Sequence, residues 1–470
     1  MAGLFSSLNQ SVKALTAHSR ALETAGNNLA NVNNPNYARQ RVIFGDRGTV
    51  ATPQGAQSLG LEALGVEQMR SSLLDRQVLR EISLKASFAA EQQGYQRAQA
   101  GLGQAIDRTE SAGSATASAA RGLGPAIDEF FNGFQSLAAS PTDAGERQAL
   151  LQKAAILVDR FHLADQRLAQ VQSDLDAQVQ SDVGEVNRLL SAVAELNSQI
   201  GRFESGAPNS AIDLRDQRQA KLEELASKIP FEVRDSTGGQ IQVVAKDASG
   251  LDVLLVDRAL LKGTAAFTGT QITAGSPATA LALASGSIQG ALAARDGAVA
   301  TLRTNLDSVA QQIVTSVNAL YNSSGTTGNF FNAAGVTAAT IAIDSSVTVA
   351  NLKASDGGAA GDNAVALGIA RLAQQQFSTS GSGFIDGTFS GFYSTSVSRL
   401  GQALSTANAR VDDQTNIETL VRNQRDQLSG VSLDEEMADL MKFQRAFQAS
   451  SRVFTVVDEL LDLVVNRLGR

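Results

Sequence analysis

The chain has 470 residues, 47 acidic and 39 basic side chains for a formal net charge of −8, no cysteine and no tryptophan. That balance gives a nucleic-acid or anionic-membrane partner no electrostatic support, and the missing thiols exclude disulfides, thiol catalysis and cysteine-ligated metals. His18 and His162 are the only histidines, too few for a multi-histidine metal site, and both read as structural or surface residues.

The first predicted element is a helix from about Leu4 to Asn31, with apolar rungs seven apart at Met1, Leu8, Leu15, Leu22 and Leu29. A seven-residue apolar repeat draws a stripe along one helix face and seeks a partner helix. Gln10, Ser11, Lys13 and Thr16 interrupt what would otherwise resemble a secretory leader. The helix stops at Asn33-Asn34-Pro35-Asn36, because proline removes a donor and disfavours helix at the residue before it. Residues 38–70 read as extended and irregular. Helical periodicity returns from Leu74 to Ile106, and residues 111–124 form a linker of small residues.

A short helix around Ile127–Leu137 precedes a helix start at Ser140-Pro141-Thr142-Asp143. The longest helix follows through 150–203, with Leu150, Leu157, Ala164 and Val171 seven apart and a phase slip after Gln178. At 1.5 Å per residue it is a rod of about 80 Å. Another helix spans Ile212–Ile229 and ends at Pro230. Residues 231–285 alternate β-branched runs with Gly and Thr, which is strand-and-turn chemistry. Helix returns from Ser287 to Tyr321. Residues 323–394 are rich in Gly, Ser, Thr and Asp, with a strand-like run from Thr340 to Val349. From Thr395 onward the pattern is helical, broken at Gly430, and ends in a second ladder: Leu433, Leu440, Phe447, Phe454, Leu461 and Leu468.

The fold class expected is mainly α with β-rich inserts. Terminal segments 1–45 and 431–470 pair as a coiled coil; 46–230, 286–322 and 395–430 make a helical rod domain. Residues 231–285 form a β-rich insert and 323–394 a second, partly β insert. No span approaches the ~18–20 apolar residues needed to cross a bilayer, and no membrane insertion is expected. There is no phosphate-binding loop. Asp412-Asp413 and Asp434-Glu435-Glu436 read as solvated charge at helix faces and starts rather than as metal ligands. No catalytic, cofactor or metal site is expected.

Two terminal motifs then narrow the function. Asn27-Asn28-Leu29-Ala30-Asn31 followed by Asn34-Pro35-Asn36-Tyr37 resembles the N-terminal signature of the axial proteins of the bacterial flagellum, which form rod, hook and hook-associated structures. Its physical content is a small and apolar seam ending in Asn side chains that bond free backbone groups at a helix C-terminus. Ser432 to Met437, with Ser432 placed to cap and three acids at the positive end of the helix dipole, and Phe443 to Ser450 resemble the terminal helix of the same family. Asp213-Leu214-Arg215-Asp216-Gln217-Arg218 and Gly361-Asp362-Asn363-Ala364 resemble its hook-associated branch. The motif residues carried over are therefore Asn28, Asn31, Pro35, Tyr37, Asp213, Arg215, Asp216 and Arg218. Pro35-Asn36-Tyr37 departs from the commoner Gly-Tyr step.

The resemblance implies a structural adaptor joining hook to filament, with no enzymatic activity and no cofactor. It implies an extracellular position in the flagellum, reached through the flagellar type III apparatus without a cleaved signal peptide. The implied partners are copies of itself in a ring, hook protein, hook-associated protein 3 and a cytoplasmic export chaperone on the C-terminal helix. The apolar ladders supply a mechanism, in which the two end helices are largely disordered in the monomer and fold on assembly. A sister axial protein and a non-flagellar coiled-coil scaffold are the alternatives.

Overall fold

The computed structural model describes every residue except 1, 47, 53–54, 59, 103–121, 207, 324, 326–327, 358, 360 and 464–470. Met1, Leu468, Leu59, Ile106 and most of the expected 111–124 linker therefore lie outside the described residues. The chain divides into two compact units: Met1–Leu84 with Val183–Ala284 and Gln414–Arg470, and Lys85–Asp182 with Ser285–Asp413.

In the first unit, α1 (Ala2–Ala30) packs most extensively on α10 (Leu433–Asp462), the last helix of the chain. The stretch read as irregular is a nested hairpin. Strands β1 (Gln40–Asp46) and β4 (Leu61–Gln68) pair antiparallel, Val42 opposite Val66, with a bulge between Ile43 and Phe44. Between them β2 (Thr49–Thr52) pairs with β3 (Gly55–Ser58). Glycines and polar residues hid the alternation that marks a strand; among the residues of this stretch whose burial is described, the buried apolar groups are Ala38 and Val42.

The same unit holds the start of α2 (Ser72–Leu102), the end of α4 (Ala144–Glu204), α5 (Ile212–Ala226) and the end of α9 (Phe389–Ser429). The expected β-rich insert is present. Strands β5 (Glu232–Asp235), β6 (Ile241–Lys246), β7 (Asp252–Asp257) and β8 (Leu260–Leu261) form an antiparallel meander. A smaller sheet of β9 (Ala266–Phe267), β10 (Ile272–Ala274) and β11 (Thr279–Ala280) follows. Two amides of α4, half-buried Asn187 and buried Asn197, fasten the insert. Asn187 exchanges hydrogen bonds of 2.7 and 2.8 Å with the backbone of Ala265. Asn197 donates to the carbonyls of Ile241 and Arg258 and accepts from the N–H of Ile241.

In the second unit, α3 (Leu123–Ala139) packs on α8 (Ala364–Leu372), and α8 also meets α7 (Ala300–Tyr321). A cluster of rings fills the centre. Phe130 meets Phe134 edge-on at 5.3 Å and lies 5.6 Å from Phe331, while Phe131 stacks on Phe389 at 5.1 Å. These offset and edge geometries add attraction beyond buried area. The phase slip in α4 breaks nothing: Val171, Leu175 and Val179 are buried at successive four-residue steps and the helix continues. Helix α6 (Ser287–Ala294) joins α7 through one π-turn, Arg295–Val299, centred on Gly297. Gly290 of α6 lies so close to α2 that an added Cβ would sit 2.0 Å from the Ser87 carbonyl oxygen.

The strand expected at Thr340–Val349 is instead a series of turns. Asp344 Oδ1 accepts from the N–H and hydroxyl of Ser346, and the Asn351 amide donates to the Ser346 carbonyl, so side chains compete with strand pairing for the backbone. What remains of β structure among the described residues of 323–394 is two isolated bridges, Phe331 to Ile343 and Phe377 to Gly387.

Replacing Phe130 by Ala should cost about 3–5 kcal/mol, read from denaturant-dependent hydrogen exchange across 123–139. A loss below about 1 kcal/mol would remove the ring cluster from its central role.

Candidate assembly interface

The end helices meet through two distinct kinds of surface. Toward α10, α1 presents small side chains: Ala17, Ala21 and Ala25, four residues apart, with Ser11, Thr24 and Asn28, all buried. Small residues let two helices approach closely. The predicted rungs Leu8, Leu15, Leu22 and Leu29 flank this strip and are half-buried. On α10, Leu440 and Phe454 are half-buried and Leu461 is buried, while Leu433 and Phe447 are exposed. A second row seven apart, Glu436, Phe443, Ser450 and Val457, lies beside them on the less exposed face. Phe44 of β1 sits between His18 of α1, at 6.2 Å, and Phe443 of α10, at 6.0 Å, and so ties the hairpin to both helices.

The alanine strip was missed because a heptad reading selects large apolar residues. Its own signal is small residues at spacing four.

At the base of the pair is a polar clasp. Asn28 is 1% exposed, and its amide uses two donor and two acceptor positions. Nδ2 donates to the Gln40 carbonyl at 2.8 Å and to Glu436 Oε2 at 2.9 Å. Oδ1 accepts from the Tyr37 hydroxyl at 2.9 Å and from the Gln40 N–H at 2.9 Å. Asn31 donates to the Asn27 carbonyl at the helix end, as the motif implied. Arg39 answers the acids at the start of α10: Nε lies 2.7 Å from Glu436 and NH1 2.6 Å from Glu435. Ser432 stands at the cap position of α10, but its hydroxyl makes no capping bond. Arg39 instead engages the first turn from outside, through the carboxylates of Glu435 and Glu436. Burial, then the carboxylates of Asp216, Asp213 and Glu436, push the Tyr37 phenol well above its ordinary 10.0, which keeps it a donor.

The Asp213–Arg218 motif points its side chains in two directions. Asp213 is exposed. Asp216 faces the clasp: Arg70 donates to Oδ1 at 2.7 Å and Gln68 at 2.8 Å, and the Ala38 N–H lies 3.4 Å from Oδ2. Burial lifts both Asp216 and Asp75 above 3.8 although Arg70 bonds each of them. On the other side, Arg215 pairs with Glu204 through Nε at 2.8 Å and NH2 at 2.7 Å. Arg218 donates to Asn197 Oδ1 and the Gly239 carbonyl, both at 2.8 Å, next to the β insert. Pro35 is exposed, but its carbonyl accepts from Arg425, which also pairs with Glu223 at 2.8 Å. Arg39, Arg70, Arg425 and Glu223 carried no sequence signal, being single charges hundreds of positions from some of their partners.

Closing the pair leaves an apolar surplus. Val453, Val456, Leu460 and Leu463 step by three and four along α10 and are 42–54% exposed. Phe5 and Val12 of α1 and Met437 and Met441 of α10 are exposed as well. Among the described residues, no His/Asp/Glu cluster suits a metal and no helix is long and apolar enough to cross a membrane.

Asn28→Ala should strip hydrogen-exchange protection from both 22–30 and 433–440, because one amide serves both helices. Loss confined to the N-terminal helix would show that the clasp does not couple them. A pH dependence follows from Glu204. Burial, the largest single influence, would raise its carboxyl, but the hydrogen bonds and charge of Arg215 together with the backbone N–H groups of Ala211 and Asn209 outweigh it and hold the carboxyl below 4.5. A folded value below the unfolded one contributes stability above 4.5 that is lost as pH falls through the folded value. The stability gap between the native chain and Glu204→Gln should therefore shrink below pH 4.5; an unchanged gap would remove the pair from the acid response.

Comparison with known proteins finds flagellar relatives for both ends and for the middle of the chain. Residues 111–331 match the flagellar hook-associated protein FlgK helical domain. Residues 8–37 match the flagella basal body rod protein family, and 423–468 the flagellar basal body rod FlgEFG protein C-terminal family, so the two rod-type matches are the partners of the clasp. Flagellar hook-associated protein 1 of Bacillus subtilis is 27% identical, with 100% of this chain and 99% of that protein aligned. The Salmonella typhimurium protein of the same name is 28% identical over 49% of this chain and 40% of its own length. The flagellar hook junction protein FlgK from Burkholderia pseudomallei is similar in structure at a TM-score of 0.46 and 21% identity, over 55% of this chain and 46% of that one. Over its whole length the chain is thus similar to flagellar hook-associated protein 1, and its two ends are similar to the rod-type proteins of the flagellar axis.

Proposed function

We propose that this structural protein of the flagellar axis is the adaptor that joins hook to filament. The observation that carries the reading is the apolar surplus on the closed helix pair. Contiguous exposed apolar surface marks a site awaiting a partner, and on a chain of this family the first partner is a second copy. Subunits stack so that Val453, Val456, Leu460 and Leu463 of one copy meet the leucine rungs Leu8, Leu15, Leu22 and Leu29 of the next, and the paired ends line the inner wall of a tube. Fully burying a Leu or Phe side chain is worth about 1.5–3 kcal/mol, most of it set against ordering entropy. Each end helix thus reaches full order only when neighbours cover it.

Other features of the reading follow the family. Export proceeds through the flagellar type III apparatus. A cytoplasmic chaperone covers the C-terminal helix by taking its apolar face into a groove. Hook protein on one side and hook-associated protein 3 on the other contact the helical layer, from which the β insert projects. The rod-type matches at both ends also suit a sister axial position, deeper in the hook or rod.

Electron microscopy of cells lacking this chain, with an assay for flagellin in the medium, separates these readings. Complete hooks without filaments, with flagellin shed, is the expected result; missing hooks would move the protein to the hook or rod. A Val456→Asp/Leu460→Asp chain should reproduce the null phenotype while its purified monomer keeps a melting temperature within a few degrees of the native one. Normal filaments in that strain would remove the surplus stripe from assembly.

A further inference from the structure

The first unit contains a cavity of about 380 Å3 walled by residues of β4, α2, α5, β5 and β6. That is the size of a small-ligand site, about 300–1,000 Å3. Its wall carries four guanidinium groups, those of Arg70, Arg76, Arg215 and Arg218. Two are already answered: Arg70 by Asp75 and Asp216, Arg215 by Glu204. The other two have no carboxylate within ion-pair distance among the described residues, although Glu204 and Asp235 lie near enough to Arg218 to attract it. Arg76 is exposed at the mouth. Arg218 is only 8% exposed, and its hydrogen bonds go from one terminal nitrogen to two neutral oxygens.

A buried cation with neutral partners is costly unless a charge arrives to meet it. Burial, then the positive charge of Arg215, pushes Arg218 down to about 10, which still leaves it charged at neutral pH. Of the carboxylates on the wall, Glu67 pairs with Arg41 and Asp75 with Arg70. Asp235 alone is without an ion pair among the described residues. The lining side chains themselves, four guanidinium groups against the carboxylates of Glu67, Asp75 and Asp235, carry one surplus positive charge. A guanidinium fork matches a carboxylate in two parallel hydrogen bonds.

We propose that this cavity binds one carboxylate group, with Arg218 at its floor, Arg76 at its mouth and Asp235 setting a limit of one negative charge. The group comes either from a small free acid or from an acidic side chain of a second copy; only the second source rests on the assembly reading above.

The test titrates carbon-13 acetate into the full-length monomer by NMR, with sulfate as a doubly charged comparison. Acetate should saturate, and Arg76→Gln should weaken it about tenfold, the scale of one charge-assisted hydrogen-bonded pair. Asp235→Asn should tighten it, and Arg399→Gln, in the other unit, should leave it unchanged. Arg218→Met is the direct variant; because Arg218 also braces Asn197, the exposed Arg76 keeps the result readable if that chain misfolds. If acetate fails to bind but Arg76→Gln weakens, and Asp235→Asn strengthens, self-association in sedimentation velocity, the carboxylate belongs to a second copy. Sulfate binding more tightly than acetate, or neither binding nor self-association responding to Arg76→Gln, overturns the proposal.

Discussion

The four hydrogen bonds of Asn28 hold the two ends of the chain in one register. Its side chain joins its own helix to the turn that follows, through Tyr37 and Gln40, and to Glu436, 408 residues away. Only an amide offers two donors and two acceptors on so short a stem. An aspartate would turn the contact with Glu436 into repulsion, and a serine lacks the donors. With Asn28 itself buried, each bond lost leaves its amide partly unsatisfied at about 1–3 kcal/mol. A single polar residue in an otherwise small and apolar helix seam also penalises every shifted register. That explains why the clasp lies at the base: it sets where α1 meets α10, and the alanine strip sets how closely.

The same device recurs where the β insert joins α4. Asn187 and Asn197 imitate a strand edge, each exchanging donor and acceptor with a backbone segment of the insert. Asn197 also accepts from Arg218, so the Asp213–Arg218 motif reaches both fasteners: Asp216 toward the turn behind Asn28, Arg218 toward the insert. One turn and a half of helix thus couples a terminal element to an interior one. The motif resembled the hook-associated branch as a string of letters; its physical meaning is a helix with charged groups aimed at two joints.

Helices were legible from periodicity because each buries one stripe against a large core. The bounds predicted for α1, α4 and α5 agree with the structure within a few residues, and Gly430 is the break between the last two helices. The nested hairpin at 40–68 was not legible, since it buries almost no apolar side chain and strand alternation needs a buried face to be written. The Thr340–Val349 run failed for the opposite reason. Its β-branched residues look like a strand, but Asp344 and Asn351 capture the backbone first. In the interface, the alanine strip and clasp were not legible, because small residues and isolated charges acquire meaning only from what they face.

The interface therefore divides its work between two chemistries. Polar groups at Asn28, Arg39 and Glu436 give direction and register but, having exchanged water for one another, add little net free energy. Apolar groups farther along, from Phe5 to Val12 and from Val453 to Leu463, give attraction without direction and remain half-covered. A subunit built this way is specified at one end and unsatisfied at the other. Local opening costs least where buried apolar contacts are fewest, so the segments that fray most readily are also those with most to gain from a neighbour. Register encoded in the monomer and attraction reserved for the polymer keep those two requirements from competing for the same residues.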